Sequence, residues 1–209
     1  MHFKNRHDAG VRLSQQLKKY QDQDVVVYAL PRGGVVLAAE IASFLHAPLD
    51  LLFAHKIGHP QQVEYAIAAV SESGCMVESE REQPFIDAHW LNDEKEHQIE
   101  EIKRKRKLYL KDKADQPVHN KIAILVDDGI ATGLTMLVGI AELKKREPKK
   151  IVVAVPIAPK NTVAMLMKYS DEFVGFEVDN NQFLGSVSAY YDEFKQVEDQ
   201  EVIHILEKN

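Results

Sequence analysis

An α/β fold, three layers deep around a central parallel sheet of about five strands, is predicted for this chain. Two observations carry the prediction. Short β-branched runs alternate with stretches of helical length and composition, which is the rhythm of βαβ units. The chain of 209 residues, 45% of them hydrophobic, is long and apolar enough to bury a core without disulfide or metal staples.

The elements follow in order. DVVVYAL (residues 24–30) is a buried strand, and the stretch 35–46 continues it with helical character and no breaker. LDLLFA (49–54) is a second strand. IAILV (122–126) is a third, followed by a helix over 134–146. KIVVAV (150–155) is a fourth, followed by a helix over 161–169, and EFVGFEV (172–178) is the fifth. Right-handed crossovers place helices on both faces of such a sheet. The whole is read as one domain, residues 1–209, with a core of about 22–179. Residues 57–120 form an insertion in the rhythm. Within it, NDEKEHQIEEIKRKRKLYL (92–110) sets Ile99, Ile102, Arg106 and Tyr109 at spacings of three and four, a helix with one narrow contact face. Asn92 or Asp93 suits its cap, and acidic residues lead while basic ones trail, as the helix dipole favours. The tail 180–209 concentrates aromatic residues, Phe183, Tyr190, Tyr191 and Phe194.

Composition excludes several classes. A net charge of −6 disfavours general nucleic-acid binding. One cysteine, Cys75, leaves no internal disulfide and no CxxC metal site. No apolar run approaches the roughly 18 residues of a membrane span, and the start, MHFKNRHDAG, lacks an apolar core of signal-peptide length. A cytoplasmic protein is the expectation.

The chemistry concentrates in ILVDDGIATGLT, residues 124–135. Asp127 and Asp128 stand at the carboxyl end of the third strand, where open α/β sheets bind ligands. The helix that follows offers free backbone N–H groups and a favourable dipole to a phosphate. Gly129 and Gly133 allow close backbone approach, and Thr132 and Thr135 add hydroxyls. Each hydrogen bond to a charged group is worth roughly 1.5–3 kcal/mol, so a handful makes a phosphate site. The stretch is not a Walker loop, because Leu134 stands where the lysine belongs, and not GxGxxG, because the glycines are four apart. Carboxylates beside a phosphate cradle meet something other than phosphate: sugar hydroxyls or Mg²⁺. The ligand carries a phosphate and a neighbouring diol.

These residues resemble the phosphoribosyl-pyrophosphate signature of type I phosphoribosyltransferases. ALPRGGVVLAAEIA (29–42) resembles that family's pyrophosphate loop and following helix, and AHKIG (54–58) the basic strand end before its flexible catalytic loop. FKNRHDAGVRL (3–13) and VSAYYDEFKQVEDQEV (187–202) resemble a bacterial and archaeal subgroup of predicted phosphoribosyltransferases. The resemblance implies that Asp127 and Asp128 hold the ribose hydroxyls, directly or through Mg²⁺. It implies that Ala131, Thr132, Gly133, Leu134 and Thr135 bind the 5′-phosphate, and that Arg32, Gly33, Gly34 and Lys56 bind pyrophosphate. It implies a cis bond between Pro31 and Arg32. It implies a hood over the strand ends, made from about 1–20 and 180–209, with Phe183, Tyr190 and Tyr191 near the base, and a mobile lid from the insertion. Catalytic work would fall to Lys56, Arg32, Asp127 and Asp128, with Mg²⁺ as cofactor. The substrates would be phosphoribosyl pyrophosphate and a nitrogenous base, with nucleotide salvage as the setting. A homodimer is compatible with this. Members acting on 6-oxopurines carry an aspartate where this chain has Ala131, which disfavours guanine and hypoxanthine.

Plainer readings stand beside these. Arg32-Gly33-Gly34 alone is a tight turn, and Lys56 alone a solvated lysine. His55 and His59 flank Gly58 and adjoin Pro60, which disfavours a helical metal pair. The basic run 103–107 could bind anions, with a solvated helix end as its plainer reading. Tyr190 and Tyr191 serve packing or an oligomer contact as readily as stacking on a base, and Arg6 is by default a structural salt bridge. Two rival functions remain: a regulatory protein that keeps the ligand site without turnover, and an interaction module using the helix 92–110.

Overall fold

A computed structural model describes residues 2–79, 86–111 and 113–209. Five parallel strands form the main sheet: β1 (Val25–Ala29), β2 (Leu49–Leu51), β6 (Ile122–Val126), β7 (Lys150–Pro159) and β8 (Glu172–Val178). Their order is β2-β1-β6-β7-β8, so β6 is central. Register runs from Val25 opposite Ile122 to Ala29 opposite Val126, and from Ile122 opposite Lys150 to Val126 opposite Ala154.

Alternate strand residues serve two cores, as the two-residue period of a strand requires. Val25, Val27, Ile124, Val126 and Val152 face one; Val26, Tyr28, Leu125 and Val153 face the other. Helices α1 (Arg6–Gln16) and α2 (Gly33–Leu45) cover the first face. Helices α4 (Leu134–Lys144) and α5 (Lys160–Leu166) cover the second. Burial on both faces explains why β1, β6 and most of β7 read as unbroken apolar runs.

The insertion departs from expectation. LDLLFA is not one strand. β2 ends at Leu51, Phe53 turns onto the Tyr109 ring at 6.3 Å, and a new strand begins at Ala54. Strands β3 (Ala54–His59), β4 (Gln62–Ser71) and β5 (Met76–Glu78) form a separate antiparallel sheet. Helix α3 (Ala88–Leu110) starts earlier than Asn92, capped by Asp87, whose carboxylate accepts the Trp90 N–H at 2.8 Å. Ile99, Ile102 and Tyr109 are buried on its contact face. Arg106 shares that side by pairing with Glu72 and Asp115. Residues 80–85 and 112 of the expected lid lie outside the described residues.

The two terminal segments pair with each other. Phe3 N–H donates to the Tyr190 carbonyl at 2.9 Å, and Asp192 N–H to the Phe3 carbonyl at 2.9 Å. The chain ends in helix α6 (Asp199–Lys208), with Val202 fully buried. Among the described residues no helix is long and apolar enough to cross a membrane.

Candidate functional site

The carboxyl ends of β1 and β6 lie side by side, so the loops leaving them meet. Leu30 N–H donates to the Val126 carbonyl at 3.0 Å. Past this point β1 leads into Pro31-Arg32-Gly33-Gly34 and β6 into Asp127-Asp128. The Pro31–Arg32 bond is cis, as the resemblance implied. The glycines are there for space. A Cβ on Gly33 would stand 1.9 Å from Asp128 Oδ2, and one on Gly34 2.8 Å from the Val126 carbonyl oxygen. The loop backbone is therefore pressed against the two aspartates.

Both carboxyl groups bind protons more readily than ordinary carboxylates. Burial pushes Asp127 well up, and the neighbouring Asp128 charge adds to it. Burial also raises Asp128, opposed by the Arg6 guanidinium. Arg6 reaches this site from α1. Its Nε donates to Asp128 Oδ2 at 2.8 Å, with the two side chains only 11% and 16% exposed. Its Nη1 donates to the Lys195 carbonyl at 2.5 Å, and its guanidinium lies 3.7 Å over the Phe194 ring. Tyr191 donates to the Asp128 carbonyl at 2.6 Å. Burial raises the Tyr191 hydroxyl, so it stays a donor. Arg6 does form a salt bridge, but its partner is a carboxylate of the candidate site rather than a scaffold residue.

The loop after Asp128 is held from below. Ile130 N–H donates to the Ile157 carbonyl at 2.9 Å, and the Thr162 hydroxyl to the Ala131 carbonyl at 2.9 Å. Gly133 takes φ +82 and opens α4, whose first turn has no capping side chain. The N–H groups of that turn are the donors a phosphate uses. Thr132 is exposed and Thr135 half-buried.

The remaining candidates fall around three hollows. Pro31, Arg32, His55, Lys105 and Tyr109 border one of about 210 Å³. Lys56, on β3, shares a second of about 660 Å³ with His55, His59, Gln98 and Thr135. Ala131, Thr132, Leu134 and Phe183 line a third of about 720 Å³. Tyr190 and Tyr191 correct an expectation. They are 4% and 6% exposed, which leaves no ring face for a base. Tyr191 packs on Phe3 at 5.4 Å and Phe194 at 4.9 Å, and the Tyr190 hydroxyl accepts the Leu184 N–H at 3.0 Å. Of the three aromatic candidates only Phe183 borders one of these hollows.

Arg6, Thr162 and Lys105 were not singled out as site residues from sequence. Arg6 carried a signal in FKNRHDAG, and Lys105 lay in the basic run 103–107, read there as a solvated helix end; Thr162 carried none, since its role depends on which helix stands beside which loop.

A parallel α/β sheet with paired carboxylates at its central strand end, a glycine loop against them and an uncapped helix start is the frame of a phosphoribosyl transferase domain. The phosphoribosyl transferase domain family matches residues 3–192, and the chain belongs to it. Two chains of Mycobacterium tuberculosis, from strains H37Rv and CDC 1551 / Oshkosh, bear the provisional name phosphoribosyl transferase (Rv0571c and MT0597). Each is 36% identical to this chain over 208 residues, 99% of its length but 46% of theirs. The chain thus spans about half the length of the curated relatives it matches. The crystal structure of TT1426 from Thermus thermophilus is similar throughout, with a TM-score of 0.81 and 33% identity over 100% of this chain and 99% of that one.

Proposed function

We propose that the chain transfers a phosphoribosyl group from phosphoribosyl pyrophosphate to a nitrogen nucleophile, releasing pyrophosphate. The observation that carries this is the packing of Gly33 against Asp128 beside the open start of α4. It brings the glycine-loop backbone and the carboxylate pair together beside the first turn of α4, which supports one ligand spanning all three. In this reading the first turn of α4, with Ala131, Thr132, Gly133, Leu134 and Thr135, holds the 5′-phosphate. Asp127 and Asp128 accept hydrogen bonds from the ribose hydroxyls. Arg32, Gly33, Gly34 and Lys56 receive the pyrophosphate. Phe183 is the aromatic residue left for the acceptor.

The site suits Mg²⁺. Burial raises the proton affinity of both carboxyls, with the Asp128 charge adding to it for Asp127, so a bound cation would favour their charged forms, and carboxylate oxygens are hard donors. Among the described residues no group of three or more His, Cys, Asp or Glu side chains converges. Substrate oxygens and water would complete the shell, as is usual for Mg²⁺ with phosphates. When bound, the ion supplies Lewis-acid neutralisation of the departing charge.

The residues of the chain do the rest. The bond from ribose C1 to the pyrophosphate oxygen breaks, its electron pair leaves with pyrophosphate, and the acceptor nitrogen forms the new bond and releases its proton to solvent. Positive charge grows on the sugar meanwhile. Asp127 and Asp128 orient the ribose, while Arg32 and Lys56 stabilise the leaving anion electrostatically. The β3–β5 sheet and α3 act as the lid that excludes water. Ala131 offers the acceptor no carboxylate, and its carbonyl is already taken by Thr162, which supports an acceptor other than a 6-oxopurine.

The test is pyrophosphate release from phosphoribosyl pyrophosphate and Mg²⁺ with a panel of bases, alongside calorimetric binding of the sugar phosphate. Replacing Asp127 and Asp128 together by Asn is expected to abolish binding. Unchanged binding by that variant, or none by the wild type, refutes the assignment. Tight binding without release from any base identifies the regulatory alternative.

A further inference from the structure

Arg32 does not sit unpartnered in its loop. Its Nη1 lies 3.5 Å from Asp199 Oδ1 and 4.0 Å from Glu198 Oε2, residues at the start of α6. Asp199 is also the focus of two groups from α3. Both its oxygens lie 2.7 Å from Lys105 Nζ, and Oδ1 accepts the Tyr109 hydroxyl at 2.6 Å. One carboxylate from the last helix thus collects donors from the glycine loop and from the insertion.

These same donors border the hollow of about 210 Å³. That volume lies below the roughly 300–1,000 Å³ of pockets enclosing drug-sized ligands, so it suits a compact ligand. Burial lowers the proton affinity of His55, which stays neutral beside Gln98 at 3.1 Å. The cations bordering the hollow are therefore Arg32 and Lys105, and both contact Asp199. Lys105 is 20% exposed, largely withdrawn from water.

We propose that Asp199 is a built-in counter-anion for Arg32 and Lys105, displaced when the pyrophosphate end of the ligand enters, so that α6 is coupled to occupancy of the glycine loop. The inference rests on the pyrophosphate role given to Arg32 above, and adds Lys105 as a further contact to that anion. Three donors converging on a carboxylate is the arrangement that also satisfies a phosphate oxygen. A multiply charged anion outcompetes a single carboxylate for two cations. The Arg32 contact is the longest of the three and the first to exchange. Release of Asp199 removes its ties from α6 to both α3 and the loop, leaving the helix held by its apolar face, with Val202 buried and Ile203, Ile205 and Leu206 packed on the core, and by Glu207 paired with Lys111.

The experiment titrates inorganic pyrophosphate calorimetrically into the full chain and three variants. Asp199→Asn keeps the shape and removes the charge, and is expected to bind about tenfold more tightly, equivalent to about 1.4 kcal/mol. Lys105→Gln is expected to bind at least about tenfold more weakly. Glu198→Gln removes an adjacent charge that does not touch Lys105, and should shift affinity less than about twofold. In the wild type, amide hydrogen exchange across residues 199–208 should quicken when pyrophosphate binds. An unmoved or weakened affinity in Asp199→Asn overturns the proposal. So does an equal gain in Glu198→Gln, which would mark a general field effect, and so does exchange in α6 that is slowed or unchanged. Failure of the wild type to bind phosphoribosyl pyrophosphate sinks the transferase reading; normal binding with an unmoved Asp199→Asn sinks only the counter-anion.

Discussion

Gly33→Ala tests the geometry at the heart of the site. Gly33 is the first residue of α2, so alanine there is conformationally welcome. By itself the change should stabilise the chain by about 0.4–1 kcal/mol through the unfolded state. Space decides otherwise. The new Cβ would lie 1.9 Å from Asp128 Oδ2 and 3.0 Å from Arg6 Nε. Asp128 has little room to retreat, with its carboxylate held by Arg6 at 2.8 Å and its carbonyl by Tyr191 at 2.6 Å. Moving it by more than 1 Å or so breaks the Arg6 bond, a charge-assisted contact worth roughly 1.5–3 kcal/mol. The net expectation is a loss of about 1–2 kcal/mol, or about 2–8 °C in Tm for a chain of this size. Urea denaturation of a double-mutant cycle reads it. In an Asp128→Ala background the obstructing oxygen is gone, and Gly33→Ala should be neutral or stabilising. The same cost in both backgrounds, or no cost in the wild type, would refute the steric account.

Two further predictions concern different parts of the molecule. Tyr191→Phe strips the donor from the partly buried Asp128 carbonyl and should cost about 1–3 kcal/mol, read by urea denaturation; a change within about 0.5 kcal/mol means the contact is dispensable. At the opposite end of the sheet, Glu172 accepts from the Tyr20 hydroxyl and Lys150, both at 2.7 Å, and pairs with Lys19 at 2.5 Å. Although burial opposes it, the bonds from Lys150, Lys19 and Tyr20 hold its carboxyl down at about 2, from an ordinary 4.5. A depressed folded-state value means stability present above about pH 4.5 and lost as pH falls toward 2. Glu172→Gln should therefore be less stable at pH 7, by about 1–2 kcal/mol after solvent screening, with the gap closing in acid. A gap that persists at pH 2 would contradict the linkage.

Much of this molecule is legible locally. Strands β1, β6 and β7 are visible because burial on both faces leaves them almost wholly apolar. The turn before α4 is visible because ILVDDGIATGLT sets Gly129 and Gly133 among small residues after an apolar strand. The β3–β5 sheet was not legible. AHKIGH mixes apolar and basic residues with no clear period, and LDLLFA hides a break because Leu52 and Phe53 stay buried after leaving the sheet. Tyr190 and Tyr191 show the same limit: an exposed stacking tyrosine and a buried hydrogen-bonded one look alike in a sequence.

What the sequence determined by itself was the family frame, the carboxylate pair and the open helix start beside it, since those depend on neighbours a few positions apart. What only the tertiary structure decided was who attends them. Arg6 meets Asp128 across 122 positions and Asp199 meets Lys105 across 94. Tyr191 reaches the Asp128 carbonyl only because Phe3 pairs with the tail. Such contacts follow from the order of strands and the packing of helices on them, and no local pattern of residues encodes a partner that distant.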